Sequence, residues 1–96
     1  MQFLAVTRRK TEQFDDNAFA GFTEVESERV RTLYAAGFIR QIWRRDDIKG
    51  ACILTEAATE ADVRETLGTL PLAEAGMLEF VNIIPLAPYP GFGPRQ

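Results

Sequence analysis

Residues 38–55, FIRQIWRRDDIKGACILT, constrain this chain more than any other stretch. Two apolar-rich runs flank Asp46-Asp47, and a two-residue link between such runs reads as a tight β-hairpin. Folding about that link sets Trp43 opposite Gly50, Gln41 opposite Cys52 and Ile39 opposite Leu54. Phe38, Arg40, Ile42 and Arg44 then share the other face with Lys49, Ala51, Ile53 and Thr55. Neither face is polar. A hairpin with one wet face alternates apolar and polar residues cleanly, so this one is expected to be covered on both sides near its middle.

The flanking segments fit the same picture. Residues 2–7 (QFLAVT) read as a strand with Phe3 and Ala5 on one face and Leu4 and Val6 on the other. Residues 8–15 are polar and read as loop, with Arg8, Arg9 and Lys10 a solvated strand end. A helix follows, with two possible starts. Thr23 can be its N-cap, with Glu26 completing a capping box. A start near Asp15 or Asp16 instead sets Phe19, Phe22, Glu26, Val30 and Leu33 on one stripe. The second start accounts for both phenylalanines and is preferred; it puts a carboxylate on an apolar face. Gly37 reads as the left-handed cap that ends this helix.

Beyond the hairpin, Thr59 is a good N-cap with Asp62 three residues on. Val63 and Leu67 point inward from this second helix, Leu70 lies near its end, and Gly68 weakens its last turn. Leu70-Pro71-Leu72 reads as a link to a fourth strand, residues 77–84 (MLEFVNII). Pro85, Pro88, Pro90 and Pro94 are expected to exclude further regular structure, leaving residues 85–96 as an extended tail that carries Tyr89 and Phe92.

The order βαββαβ is that of a ferredoxin-like α+β unit, with a four-stranded antiparallel sheet and two helices on one face. The 96 residues suffice for one domain, spanning 1–96. The far face of such a sheet is bare, and here it would be apolar. A second copy stacked sheet to sheet is the simplest cover. The expectation is therefore a dimeric α/β barrel, a homodimer or a higher homo-oligomer.

Composition closes off several functions. The 11 basic and 14 acidic residues give a net charge of −3, so nucleic acid is not an expected partner. There is no histidine, which removes Ser-His-Asp and Cys-His relays, His-ligated zinc and a proximal haem histidine. No metal or cofactor is expected. Cys52 is the only cysteine; it forms no intrachain disulfide and reads as a small core residue rather than a nucleophile. No apolar run is long enough to span a membrane and no signal peptide is recognised, so a cytoplasmic protein with no membrane partner is expected.

The combination of GFIRQIWRR, LPLAEAG and a strand ending in IIPLAPYP resembles the muconolactone delta-isomerase family. The matching positions are Gly37, Arg40, Ile42, Trp43 and Arg44, then Leu70, Pro71 and Leu72, then Pro85, Leu86, Tyr89 and Pro90. The resemblance implies a cofactor-free isomerase of aromatic catabolism that moves a proton within an unsaturated lactone bearing a carboxylate. It also implies ferredoxin-like units assembled into dimers and larger rings, and it matches Glu26 to the family's candidate acid/base. Leu4 and Val6 stand at family polar positions, Tyr89 replaces a tail histidine, and Asn82 stands where a strand carboxylate is usual. Ile48 and Ala51 lie where polar or aromatic residues are expected. A divergent member with a greasier pocket is the reading that fits.

A 1,3-proton shift needs one group to remove and return the proton, and a donor or positive charge for the developing enolate. Glu26 can be the first, its pKa raised by burial among Phe19, Phe22 and Val30. Arg40 can be the second, or can clamp a substrate carboxylate. Phe22 and Trp43 would line the pocket, and Tyr89 would close it from the tail. Duller roles stand beside these. Glu26 can complete a capping box or pair with Arg29 or Arg40, Arg40 can be an interface ion-pair partner, Trp43 can be core, and Tyr89 can be a packing anchor. Glu79 reads as an edge or interface acid. A non-catalytic small-molecule-binding or assembly module is the alternative to the isomerase, and a cofactor-independent oxygenase is a third reading.

Overall fold

The computed structural model describes residues 1–93. Four strands form its sheet: β1 (Gln2–Arg9), β2 (Ile39–Arg44), β3 (Gly50–Glu56) and β4 (Leu78–Leu86). Between them lie α1 (Asp16–Ala20), α2 (Thr23–Ala35), α3 (Glu60–Leu67) and α4 (Pro71–Glu74). The sheet is antiparallel in the order β2-β3-β1-β4. This is the ferredoxin-like α+β arrangement. Each helical crossover joins two parallel strands with a third between them, and right-handed crossovers put all the helices on one face.

The core lies between that face and the helices. Phe3, Ala5, Ile39, Ile53 and Ile83 face Leu33, Val63, Leu67 and Leu70, all buried. Thr7 and Thr55 are also buried, and each hydroxyl is used. Thr55 donates to the Phe3 carbonyl at 3.2 Å, and Thr7 accepts from the Ala51 amide at 3.1 Å. A second cluster of Phe19, Leu72 and Met77 sits at the end where α1 meets α4.

The hairpin differs from its expected form. Arg45 donates its amide to the Gly50 carbonyl at 3.0 Å, so the loop is residues 46–49 and not Asp46-Asp47 alone. Trp43 therefore pairs with Cys52 and Gln41 with Leu54. A bulge between Ile39 and Gln41 then brings Ile39 opposite Thr55, on the buried face with Ile42 and Ile53. The turn lacks the glycine that a two-residue hairpin favours at its centre, and a longer loop avoids that demand. Within the single chain the helices cover one side of the hairpin. Gln41 and Trp43 are exposed, and Cys52, expected in the core, is half-buried on the open face beside them.

The first helix is two helices. Asp15 caps α1, accepting from the Ala18 amide at 2.9 Å. The chain breaks at Gly21 and restarts with Phe22 as the N-cap of α2, which has no side-chain cap. Thr23 is thus the first residue of α2 and no capping box forms. The early start is observed, and Phe19, Phe22, Glu26, Val30 and Leu33 all turn toward the protein. At the far end Phe38 donates to Leu33 and Gly37 to Tyr34, both at 3.0 Å, with Gly37 at φ +84°. These bonds make a Schellman cap, which only glycine enters without strain.

Three boundaries move. β1 continues through Arg8 and Arg9, beyond the loop boundary expected at residue 8. Leu70-Pro71-Leu72 is not a plain link but the start of α4, with Pro71 in its first turn, where a missing N–H costs nothing. β4 runs through Pro85 to Leu86, because β4 is an edge strand and edges tolerate proline. Of the expected tail, residues 87–93 lie outside helix and strand and Pro94 lies outside the described residues. Among the described residues no helix is long and apolar enough to cross a membrane.

Candidate functional site

Glu26 sits on the inward stripe of α2, half-buried. Its Oε1 accepts the Leu72 amide at 2.9 Å. That amide belongs to the first turn of α4, whose backbone donors have no partner within the helix. The carboxylate of one helix thus caps another, 46 residues away in sequence. No donor reaches Oε2 among the described residues. Burial pushes the Glu26 carboxyl above its ordinary range, while the Leu72 amide and the positive charge of Arg9 pull it part of the way back.

The carboxylate borders a cavity of about 270 Å³ between the sheet and the helices. Val30, Ile42, Ile53, Leu70, Leu72 and Leu78 make most of its wall. Thr7 and Ala51 form the floor from β1 and β3, and Arg9 and Arg44 reach it from the strand ends. The size suits a ligand smaller than a drug molecule, and the apolar lining with few polar groups is typical of small-molecule sites.

The expected site residues do not all converge. Glu26 lies in the cavity wall. Trp43 borders the cavity, but its pairing with Cys52 turns it to the open face, and it is 50% exposed. Arg40 is exposed at the bulge of β2 and is not part of the lining. Phe22 packs against the cluster of Phe19, Leu72 and Met77 instead of the cavity. Tyr89 is 78% exposed, beyond β4, and is not part of the lining. Glu26 pairs with neither Arg29 nor Arg40: Arg29 donates to the Thr69 hydroxyl at 2.8 Å. Glu79 is exposed on the edge strand and pairs with Arg8, which also holds Glu12.

Arg9 and Arg44 are lining residues that sequence reasoning did not assign to the site; Arg9 reads there as a strand end. A signal existed. Carrying the alternation of β1 two steps past Thr7 lands Arg9 on the face of Phe3 and Ala5. The same alternation puts Arg44 on the face of Ile42.

The muconolactone delta-isomerase family model matches residues 1–91. The chain belongs to the muconolactone delta-isomerase family. A comparison with curated proteins finds no match. In this muconolactone delta-isomerase family member, Glu26 stands against an apolar cavity.

Proposed function

We propose that this chain is a proton-shift isomerase of aromatic catabolism, acting on a small unsaturated lactone or related carbonyl compound, with Glu26 as the acid/base. One observation carries the reading: a half-buried carboxylate with one oxygen held by the Leu72 amide and the other unpartnered, beside an apolar cavity. Glu26 Oε2 would take a proton from a carbon conjugated to the carbonyl. The C–H electron pair would move into a dienolate. The protonated Glu26 would then return the proton two carbons away, restoring the carbonyl and shifting the double bond. Arg9 brings positive charge to the same cavity and favours the enolate oxygen. A raised pKa suits the task, since a base that is too weak removes no proton and one that is too strong does not return it.

Family members are typically oligomeric. A second copy over the open face would bury Leu4, Val6, Leu54 and Ile84, and would give the exposed Tyr89 a surface to cover. Arg40 and Trp43, both away from the cavity floor, fit roles at that contact. The departures at Leu4, Val6, Tyr89 and Asn82 support a substrate different from the family's own.

The test is incubation with muconolactone and related enol-lactones in D2O, followed by NMR. Deuterium should enter the substrate at the exchanging carbons, and Glu26→Gln should slow this at least a hundredfold, the usual scale for a lost acid/base. No incorporation across the panel, or an unchanged rate in the variant, removes the isomerase. A second reading has its own support. The bond to Leu72 makes Glu26 a helix cap, which a non-catalytic binding module would need equally. Tight, saturable binding of these lactones with no exchange would favour it.

A further inference from the structure

We infer that Arg29 and Thr69 are positioning residues for Glu26: their hydrogen bonds pin the turn that carries the Leu72 amide, so that the carboxyl group keeps its aim while it holds the proton. The inference rests on the reading of Glu26 as the acid/base.

Two sets of bonds join α2 to the turn between α3 and α4. The inner one is the Leu72 amide to Glu26 Oε1 at 2.9 Å. In the outer one the Arg29 guanidinium donates twice to the Thr69 hydroxyl, from Nε at 3.1 Å and from Nη2 at 2.8 Å. Glu26 and Arg29 are three residues apart on α2, so they stand one above the other on the same side. Thr69 and Leu72 are also three residues apart, in the opposite sense. The bonds therefore make two rungs, separated by roughly 5 Å along α2.

The outer rung reaches further than its two residues. The Thr69 hydroxyl donates its own proton to the Thr66 carbonyl at 2.6 Å, in the last turn of α3. That carbonyl is one of the end groups a helix leaves without a helical partner. Arg29 thus holds the end of α3 through Thr69. Only Leu70 and Pro71 lie between Thr69 and Leu72. Leu70 and Leu72 are buried and line the cavity, and proline has a fixed φ, so little slack separates the rungs.

The inner rung weakens during the reaction. A hydrogen bond to a carboxylate is charge-assisted and about twice as strong as one to a neutral group. Once Glu26 has taken the substrate's proton it is neutral, and the Leu72 bond loses that assistance. The proton must then return to a different carbon, so the carboxyl group must not drift. The outer rung joins a guanidinium, charged at every working pH, to a hydroxyl, and keeps its strength throughout. Neither Arg29 nor Thr69 lines the cavity, so both act through Leu72.

Two variants remove the outer rung. Thr69→Val deletes the hydroxyl and keeps every charge, and Arg29→Met deletes the donors. In each, the Leu72 amide should exchange with solvent about tenfold faster by NMR. The double variant should be no faster than either single one, because the same rung is lost. In lactone exchange in D2O, the limb of the pH–rate profile set by Glu26 should move to higher pH, because the Leu72 amide pulls the carboxyl down less. The plateau rate should fall about tenfold. Arg9 of β1 and Arg44 of β2, the other charged groups in the cavity wall, are unchanged in both variants. The Glu26 carboxyl titrated by 13C NMR should move the same way, with no turnover needed. Thr69→Ser keeps the hydroxyl and should return the parent behaviour in every readout. A purely structural role would lower the thermal midpoint and leave the limb in place. Unchanged Leu72 exchange overturns the inference, as does a Glu26 titration that stays put or moves to lower pH in Thr69→Val. Failure of the isomerase reading would appear separately: no deuterium would enter any lactone, while the Leu72 amide and the Glu26 titration still responded to Thr69→Val.

Discussion

Ile53 and Leu54 are neighbours in β3 and point to opposite sides of the sheet. Ile53 is 2% exposed, sealed under the helices, while Leu54 is half-buried with nothing above it. The same split runs across β1, where Phe3 and Ala5 are sealed and Leu4 and Val6 are not. Composition does not separate the faces, since both carry large apolar side chains. Connectivity separates them. Both crossovers turn the same way, so every helix lands on one side. The covered side then divides again. Its centre is packed solid, and its end near the hairpin loop is left open beside the small residues Gly50 and Ala51.

The sharpest way to break this comparison is to truncate both members of the pair. Ile53→Ala should destabilise the protein by about 2–5 kcal/mol in denaturant unfolding, independent of protein concentration, as for other sealed core residues. Leu54→Ala should cost less. If a second copy covers the open face, that cost should grow with protein concentration, and light scattering should show a lighter particle. An unchanged mass together with a concentration-independent loss would mean that the open face is simply solvated.

A smaller effect is expected at Gly50. The Cβ of Gly50→Ala meets the backbone of Thr7 and Arg8, not a flexible side chain. The end of β3 must move away from β1, at a cost of about 1–3 kcal/mol. Amide exchange should speed up at Arg9, whose N–H bonds Lys49 at 2.8 Å, and stay slow at the far end of the ladder. Uniform protection in the variant would mean that the contact relaxes elsewhere.

The smallest effect is a pH dependence. The folded-state pKa of Glu26 is raised from the ordinary value of 4.5 by burial. The folded chain therefore keeps its proton to a higher pH than the unfolded chain. Stability from this group is present below pH 4.5 and is lost as pH rises through the folded value. Glutamine is neutral throughout and its amide oxygen can still accept from Leu72. The thermal midpoint of Glu26→Gln relative to the parent should rise between pH 4 and neutrality, because only the parent loses the Glu26 contribution in that window. A gap that does not change with pH would place the carboxyl in water in both states.

Much of the fold was written in local patterns. Gly37 and Thr59 marked a helix end and a helix start because each meets a backbone demand of its immediate neighbours. Phe3, Ala5, Val63 and Leu67 were legible as core from period alone. The hairpin register was not, because Asp46-Asp47 mimicked a two-residue turn, the missing glycine only disfavours that turn without fixing a longer one, and nothing local forces the bulge beside Arg40. The break at Gly21 was hidden too, since α1 and α2 share one apolar stripe.

For the site, the sequence determined that a carboxylate, Glu26, would lie on a helix face otherwise made of phenylalanine, valine and leucine. That follows from spacing along a single helix, which needs no partner to be read. Only the tertiary structure decided what meets that carboxylate. The Leu72 amide comes from a turn that folds against α2, and Arg9 and Arg44 come from strands joined through a third. Spacing along a strand gives the face each residue takes, but which neighbours it meets depends on register and crossover hand, which are settled by packing across the whole sheet.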